Sequence, residues 1–316
     1  EEHFRFLNGF NDVFLTIGVL LVAGAFLFAA MPTFSGSGWL SVITFAAVTF
    51  WLLSEVLVRR LRAVLPGMAL AILFTIFAAA AVVIEYHSDK FAAPSWDFNS
   101  ELAFWRNPTL LFATPALVAS LLYYLRFRLP FALGLIACFG YVVVSKALLM
   151  TTGIASSFVG FAYGLFVLII ALAYDGRDPK RVTRLSDCAF WLHLVAAWLI
   201  VSPVIAMIKQ STGDSGAASG AILVTVLLLG LFALVIDRRA LLVSSLMYFT
   251  IAVYDLLSGG GPAPFGNVMP SSFITTLALV GGFVLILGVF WHPLRQRIMP
   301  LFRNMAFTRY LPPARQ

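Results

Sequence analysis

The chain has 316 residues, 61% of them hydrophobic and only 11% charged, and a net charge of +7. A soluble domain of this length needs far more charge to cover its surface. The positive charges sit beside long apolar runs. They therefore point to anionic lipid headgroups and exclude nucleic acid as the partner.

Ten apolar stretches follow one another along the sequence, at about 13–34, 39–58, 66–85, 109–124, 130–150, 158–174, 188–208, 219–236, 240–257 and 272–290. Runs of this length match a hydrocarbon core about 30 Å thick. Backbone groups find no water there, so each run is expected to be a helix. The runs do not alternate as barrel strands would. The fold class expected is all-α, a polytopic transmembrane helix bundle of about ten spans forming one domain. The stretch 109–124 is short and is expected to borrow residues from its flanks.

The loops carry an orientation. With the N-terminus inside, the inner segments hold seventeen Lys and Arg, the outer loops hold Lys90, Arg106 and Lys209, and Lys146 lies within a span. Seventeen against three is a strong positive-inside signal and makes both termini cytoplasmic. The chain opens on Glu1 rather than methionine. Since the charges place Glu1 inside, a missing leader or a preceding cytoplasmic segment is expected rather than a cleaved signal peptide.

Two connections are more than simple turns. In 95–105, Phe98, Leu102 and Trp105 follow i, i+4, i+7 spacing after Ser95 and Asp97 as possible caps. This predicts an outer interfacial helix with Trp96 and Trp105 at headgroup depth; a lid is the sharper alternative. The inner loop 175–187 carries Asp178-Pro179 and Ser186-Asp187 and reads as a turn followed by a capped helix start, with a plain connector as the default. The tail 292–316 mixes arginines with Leu301, Phe302, Met305, Phe307, Tyr310 and Leu311, which suits a basic cytoplasmic segment on the inner leaflet. An inverted five-plus-five arrangement is compatible with ten spans, although no matching halves are visible in the sequence.

Soluble-enzyme motifs are missing. There is neither a phosphate-binding loop nor a dinucleotide fingerprint, and Ser258-Gly259-Gly260-Gly261-Pro262 reads as a flexible outer turn. Cys138 and Cys188 are expected to be free thiols at different depths. His3, His87, His193 and His292 are scattered singly, so no metal site and no cofactor are indicated. Gly160 and Gly164 form a Gly-x-x-x-Gly, and Gly281, Gly282 and Gly288 also fit close helix packing.

Ionisable groups inside spans are costly and are functional candidates by default. Lys146 lies roughly 24 Å, and Asp255 roughly 22 Å, from the inner boundary at 1.5 Å per residue. A buried ion pair at matched depth is one reading, with Tyr141 and Tyr254 as nearby hydrogen-bonding groups. Snorkelling of Lys146 to the outer interface is the other. Glu55, His193 and Asp237 form a second candidate layer near the inner side, where a histidine–carboxylate pair is able to relay protons. Polar anchoring at the interface is its simpler alternative. Pro115 and Pro203 are expected to kink their helices.

The segments Thr183-Arg184-Leu185-Ser186-Asp187-Cys188-Ala189-Phe190-Trp191-Leu192-His193-Leu194 and Val235-Ile236-Asp237-Arg238-Arg239-Ala240-Leu241-Leu242-Val243-Ser244 resemble parts of uncharacterised polytopic inner-membrane proteins of Gram-negative, alphaproteobacterial, bacteria. The resemblance covers a small part of the chain. It implies placement in a bacterial inner membrane and carries no activity with it. Three function classes follow from the whole reading. A secondary transporter or permease for a small molecule fits the span count, the short loops and the intramembrane charges. A non-catalytic subunit or scaffold, with protein partner chains, fits the lack of motifs. A membrane enzyme fits least, because it would show clustered His, Asp or Glu at one surface.

Overall fold

The computed structural model describes residues 10–30, 38–88, 107–178, 183–212, 216–236, 240–258 and 271–302. Among the described residues every regular element is helical: α1 Phe10–Ala30, α2 Gly38–Ser54, α3 Val64–Ser88, α4 Pro108–Phe127, α5 Pro130–Thr152, α6 Ser156–Arg177, α7 Arg184–Thr212, α8 Gly216–Ile236, α9 Ala240–Ser258 and α10 Ser271–Phe302. A π-helical segment, Glu55–Arg60, continues α2. Nine helices among the described residues are long and apolar enough to cross a membrane, and α9 contains a shorter apolar stretch, Leu246–Ser258. About ten spans, and a multi-pass helical membrane protein, are consistent with this. The interfacial segment expected at 95–105 and the tail beyond 302 lie outside the described residues. The first part of that tail continues α10 as helix through Pro293 and Pro300.

Local chemistry sets several ends. Asn107 caps α4, its Oδ1 accepting from Thr109 N at 3.0 Å and Leu110 N at 3.4 Å, with Pro108 in the first turn. That cap and three further residues at the other end make the short fourth stretch a 20-residue helix. Gly153 ends α5 in the left-handed region at φ +70°, its N–H returning to Leu149 O at 3.0 Å.

The chain divides into two compact units, Glu1–Ser156 and Ser157–Gln316. In the first, α1, α2 and α3 pack together, and α4 packs between α3 and α5. Phe50 is fully buried, with its ring edge-on to Phe26 at 5.9 Å and Phe77 at 5.2 Å. Ala46, Ala71, Ala79, Ala116 and Ala132 are buried at the helix contacts. Small side chains let backbones approach, which holds helices together where lipid removes the hydrophobic incentive. In the second unit α7 packs on α8 and α9, and α10 on α8 and α9. Val201 and Ile205 of α7 meet Ile222 and Val226 of α8 and Ala252 of α9. Trp291 of α10 is buried with Ala197, Ala233 and Leu234. Leu21, Phe28, Leu285 and Val289 are each about 70% exposed, as side chains that face acyl chains should be.

The glycines divide. A Cβ at Gly164 would lie 2.9 Å from Ile200 Cγ1, 3.0 Å from Leu199 Cβ and 3.1 Å from Ile200 N, so α6 and α7 touch there. Gly281, Gly282 and Gly288 have nothing within 4 Å of such an atom. The close packing expected of these three is therefore not made with any described residue.

Candidate functional site

The first candidate layer is shared between the units. Lys146 and Tyr141 are half-buried on α5 in the first unit, and Asp255 and Tyr254 are half-buried on α9 in the second. Of the second layer, Glu55 belongs to the first unit, His193 to the second, and Asp237 lies outside the described residues. Glu55 and His193 each have a charged partner within their own unit.

His193 meets Asp175, the first residue of the inner loop expected at 175–187. His193 is fully buried, the Asp175 side chain is 8% exposed, and Nε2 lies 2.8 Å from Oδ2. Helix α6 runs past Tyr174 to Arg177, so Asp175 occupies its last turn. The buried stripe of α6 is Gly160, Gly164, Val167, Leu168, Ala171 and Asp175. Its spacing is that of one helix face. Continuing the 3.6-residue period from the Gly-x-x-x-Gly would have landed on Asp175. On α7, Ile200 touches Gly164 and His193 sits two turns earlier. One seam thus carries both the close glycine contact and the acid–imidazole pair. His193 is nine residues into α7, or roughly 13 Å from its start.

The hairpin below the pair is tied down. Asp178 N donates to Asp175 O at 3.2 Å. Asp178 Oδ2 accepts from Thr183 N at 2.8 Å and from Thr183 Oγ1 at 2.6 Å. Thr183 Oγ1 in turn accepts from Leu185 N at 3.2 Å, which caps α7. The capped start expected at Ser186-Asp187 is therefore set by Thr183, with Asp178 behind it. Threonine wins because its hydroxyl bonds the carboxylate and the first turn at once.

A carboxylate buried among apolar helices is retained only when it is paired. Here the partner is an imidazole, the side chain whose charge changes most readily around neutral pH. The site is therefore able to hold a proton between Nε2 and Oδ2. Among the described residues no group of three or more His, Cys, Asp or Glu is placed to hold a metal ion. Cys138 and Cys188 are free thiols.

In the first unit Glu55 opens the π-helical segment. Its Oε1 accepts from Arg126 Nε at 2.6 Å and its Oε2 from Arg59 Nη1 at 3.3 Å. Beside it, the buried Tyr123 hydroxyl donates to Ser54 Oγ at 3.0 Å and Gly67 O at 3.3 Å. The rings of Trp51, Phe74, Tyr123 and Phe127 surround that bond, with Tyr123–Phe127 centroids at 4.5 Å and Trp51–Phe127 at 5.1 Å. Partners 71 residues apart leave no local sequence signal for this junction.

No family model, no curated protein and no solved structure matches this chain.

Proposed function

We propose that the protein is a secondary transporter or permease for a small molecule, seated in a bacterial inner membrane with both termini cytoplasmic. The observation that carries this reading is the buried Asp175–His193 pair at 2.8 Å, on two helices apolar enough to span a membrane. An ionisable group inside a membrane span is costly and is a functional-site candidate by default. The division into two units, with α1–α5 in one and α6–α10 in the other, supports it further, because transporters of many folds are built from paired helical units. The inner-membrane placement rests on the resemblance described above, and the orientation on the charge distribution.

The test uses the full chain in proteoliposomes that enclose a pH-sensitive dye. Amino acids, organic acids, sugars and inorganic cations are added one class at a time across a pH gradient. A solute-dependent proton movement that His193→Gln abolishes is the expected result. Absence of any such flux, together with a stoichiometric protein partner retained through purification, would favour a membrane subunit or scaffold instead. Orientation is checked in a Cys138→Ala, Cys188→Ala background. Cysteines at Ser211 and Ser258 should label from outside, and one at Arg181 should not.

A further inference from the structure

Two connections at one end of the first unit share a motif and a strained backbone. The segment after α2 ends in Arg60-Leu61-Arg62, and α4 ends in Arg126-Phe127-Arg128. In both, the second arginine lies in the left-handed region, at φ +55° for Arg62 and +50° for Arg128. They are the non-glycine residues with positive φ among the described ones. Glycine or asparagine is the usual occupant of such a helix-ending position, because a Cβ crowds the backbone there. The local hydrogen bonds explain the turn but not the side chain: Ala63 N returns to Leu57 O at 2.9 Å and Arg128 N to Tyr124 O at 2.7 Å, and any residue would make these. Backbone strain retained twice for the same side chain is a sign of use.

The Glu55–Arg126 bond at 2.6 Å ties the two connections side by side. Five arginines then gather at this end, Arg59, Arg60, Arg62, Arg126 and Arg128, all exposed, and Glu55 bonds two of them. The side chains of Arg60, Arg62 and Arg128 make no ion pair or hydrogen bond with a described residue. Directly next to them Val56, Leu61, Leu122 and Leu125 are exposed apolar side chains. Guanidinium groups beside open apolar surface complement a molecule with an anionic phosphate at one end and hydrocarbon at the other.

We propose that Arg60, Arg62 and Arg128 form a binding site for the headgroup phosphate of an anionic phospholipid, whose acyl chains lie along Leu61, Leu122 and Leu125. The site is independent of the transport reading, since it uses neither Asp175 nor His193. It holds the lipid against both connections at once and so couples the ends of α2 and α4 to the surrounding bilayer.

The test is native mass spectrometry on the full chain in non-ionic detergent. Phosphatidylglycerol and phosphatidylcholine with identical acyl chains are titrated separately, and inorganic phosphate is titrated in a third arm. The unaltered chain is expected to bind phosphatidylglycerol well above phosphatidylcholine. Each arginine lost should weaken that binding about fivefold, so Arg62→Asn with Arg128→Asn should weaken it about twenty-fivefold. Asparagine tolerates positive φ, so the melting temperature should not fall; a merely structural arginine would show the opposite pattern. The double lysine variant, which keeps the charge, should retain the preference. Should the asparagine variant fold poorly, Arg60→Gln, on helical backbone, is expected to give the fivefold loss alone. Equal affinity for the two lipids, or an unchanged phosphatidylglycerol affinity in the neutral variants, would overturn the site. Inorganic phosphate competing as well as the lipid at equal concentration would assign the site to a free anion and overturn the lipid assignment.

Discussion

Removing His193 while leaving Asp175 in place is the most severe small change available in the second unit. Nε2 and Oδ2 are 2.8 Å apart, the imidazole is fully buried, and the carboxylate is 8% exposed. His193→Leu fills most of the space but takes the imidazole away from a buried carboxylate. Breaking a buried pair in this way costs about 3–5 kcal/mol. If the unit α6–α10 melts cooperatively, at about 2–4 °C per kcal/mol, the melting temperature falls by roughly 6–20 °C. Asp175→Asn keeps the shape and the acceptor and should cost about 1 kcal/mol, the net worth of an ordinary hydrogen bond. The double variant His193→Leu, Asp175→Leu removes both polar groups and should recover most of the loss, because an apolar replacement of a buried pair is often neutral or stabilising. The assay is tryptophan fluorescence during heating of the full chain in detergent, with the recovered monodisperse fraction as a second readout. A His193→Leu loss below about 1 kcal/mol, or a double variant that loses the sum of the separate His193→Leu and Asp175→Leu losses, would refute the claim that the pair is buried and coupled.

Gly164→Ala should lower stability by about 1–3 kcal/mol, because the new methyl meets Ile200 Cγ1 at 2.9 Å and the less yielding Ile200 N at 3.1 Å. Gly288→Ala, with nothing within 4 Å, is the control and should be neutral or slightly stabilising by melting temperature. Tyr123→Phe removes the hydroxyl that reaches Ser54 Oγ and Gly67 O without opening a cavity, so thermal unfolding should show a loss of about 1 kcal/mol and not the several expected of Tyr123→Ala.

The spans were legible because a twenty-residue apolar run has essentially one stable form in a bilayer. Hydropathy placed ten stretches, and the helices follow them with ends shifted by caps that hydropathy cannot see. Asn107 extends α4 outward, and Thr183 starts α7 at Arg184, ahead of the apolar run beginning at Cys188. The same blindness hid Asp175. A hydropathy boundary stops at the first charge, whereas the helix stops where its backbone bonds stop, three residues later at Arg177. The π-helical segment Glu55–Arg60 and the left-handed Arg62 had no sequence signal at all, since neither glycine nor proline marks them. The sequence groups His193 with Glu55 and Asp237, and only the face periodicity of α6 points to the residue it meets.

The two charged constructions differ in what their partners are able to do. Glu55 is bound by guanidinium groups, which stay protonated at any pH a cell reaches. That junction therefore has one charge state, and its worth is positional: it fixes two arginine-bearing connections side by side. Asp175 is bound by an imidazole, a side chain that exists in a neutral and a protonated form, and the pair is buried. When the imidazole is protonated the pair is neutral overall. When it is not, the imidazole meets the carboxylate as a hydrogen-bond partner alone. A proton arriving at or leaving His193 thus changes the energy of the α6–α7 contact directly. That is the physical requirement for coupling proton movement to a conformational change, and the arginine-bound Glu55 cannot meet it.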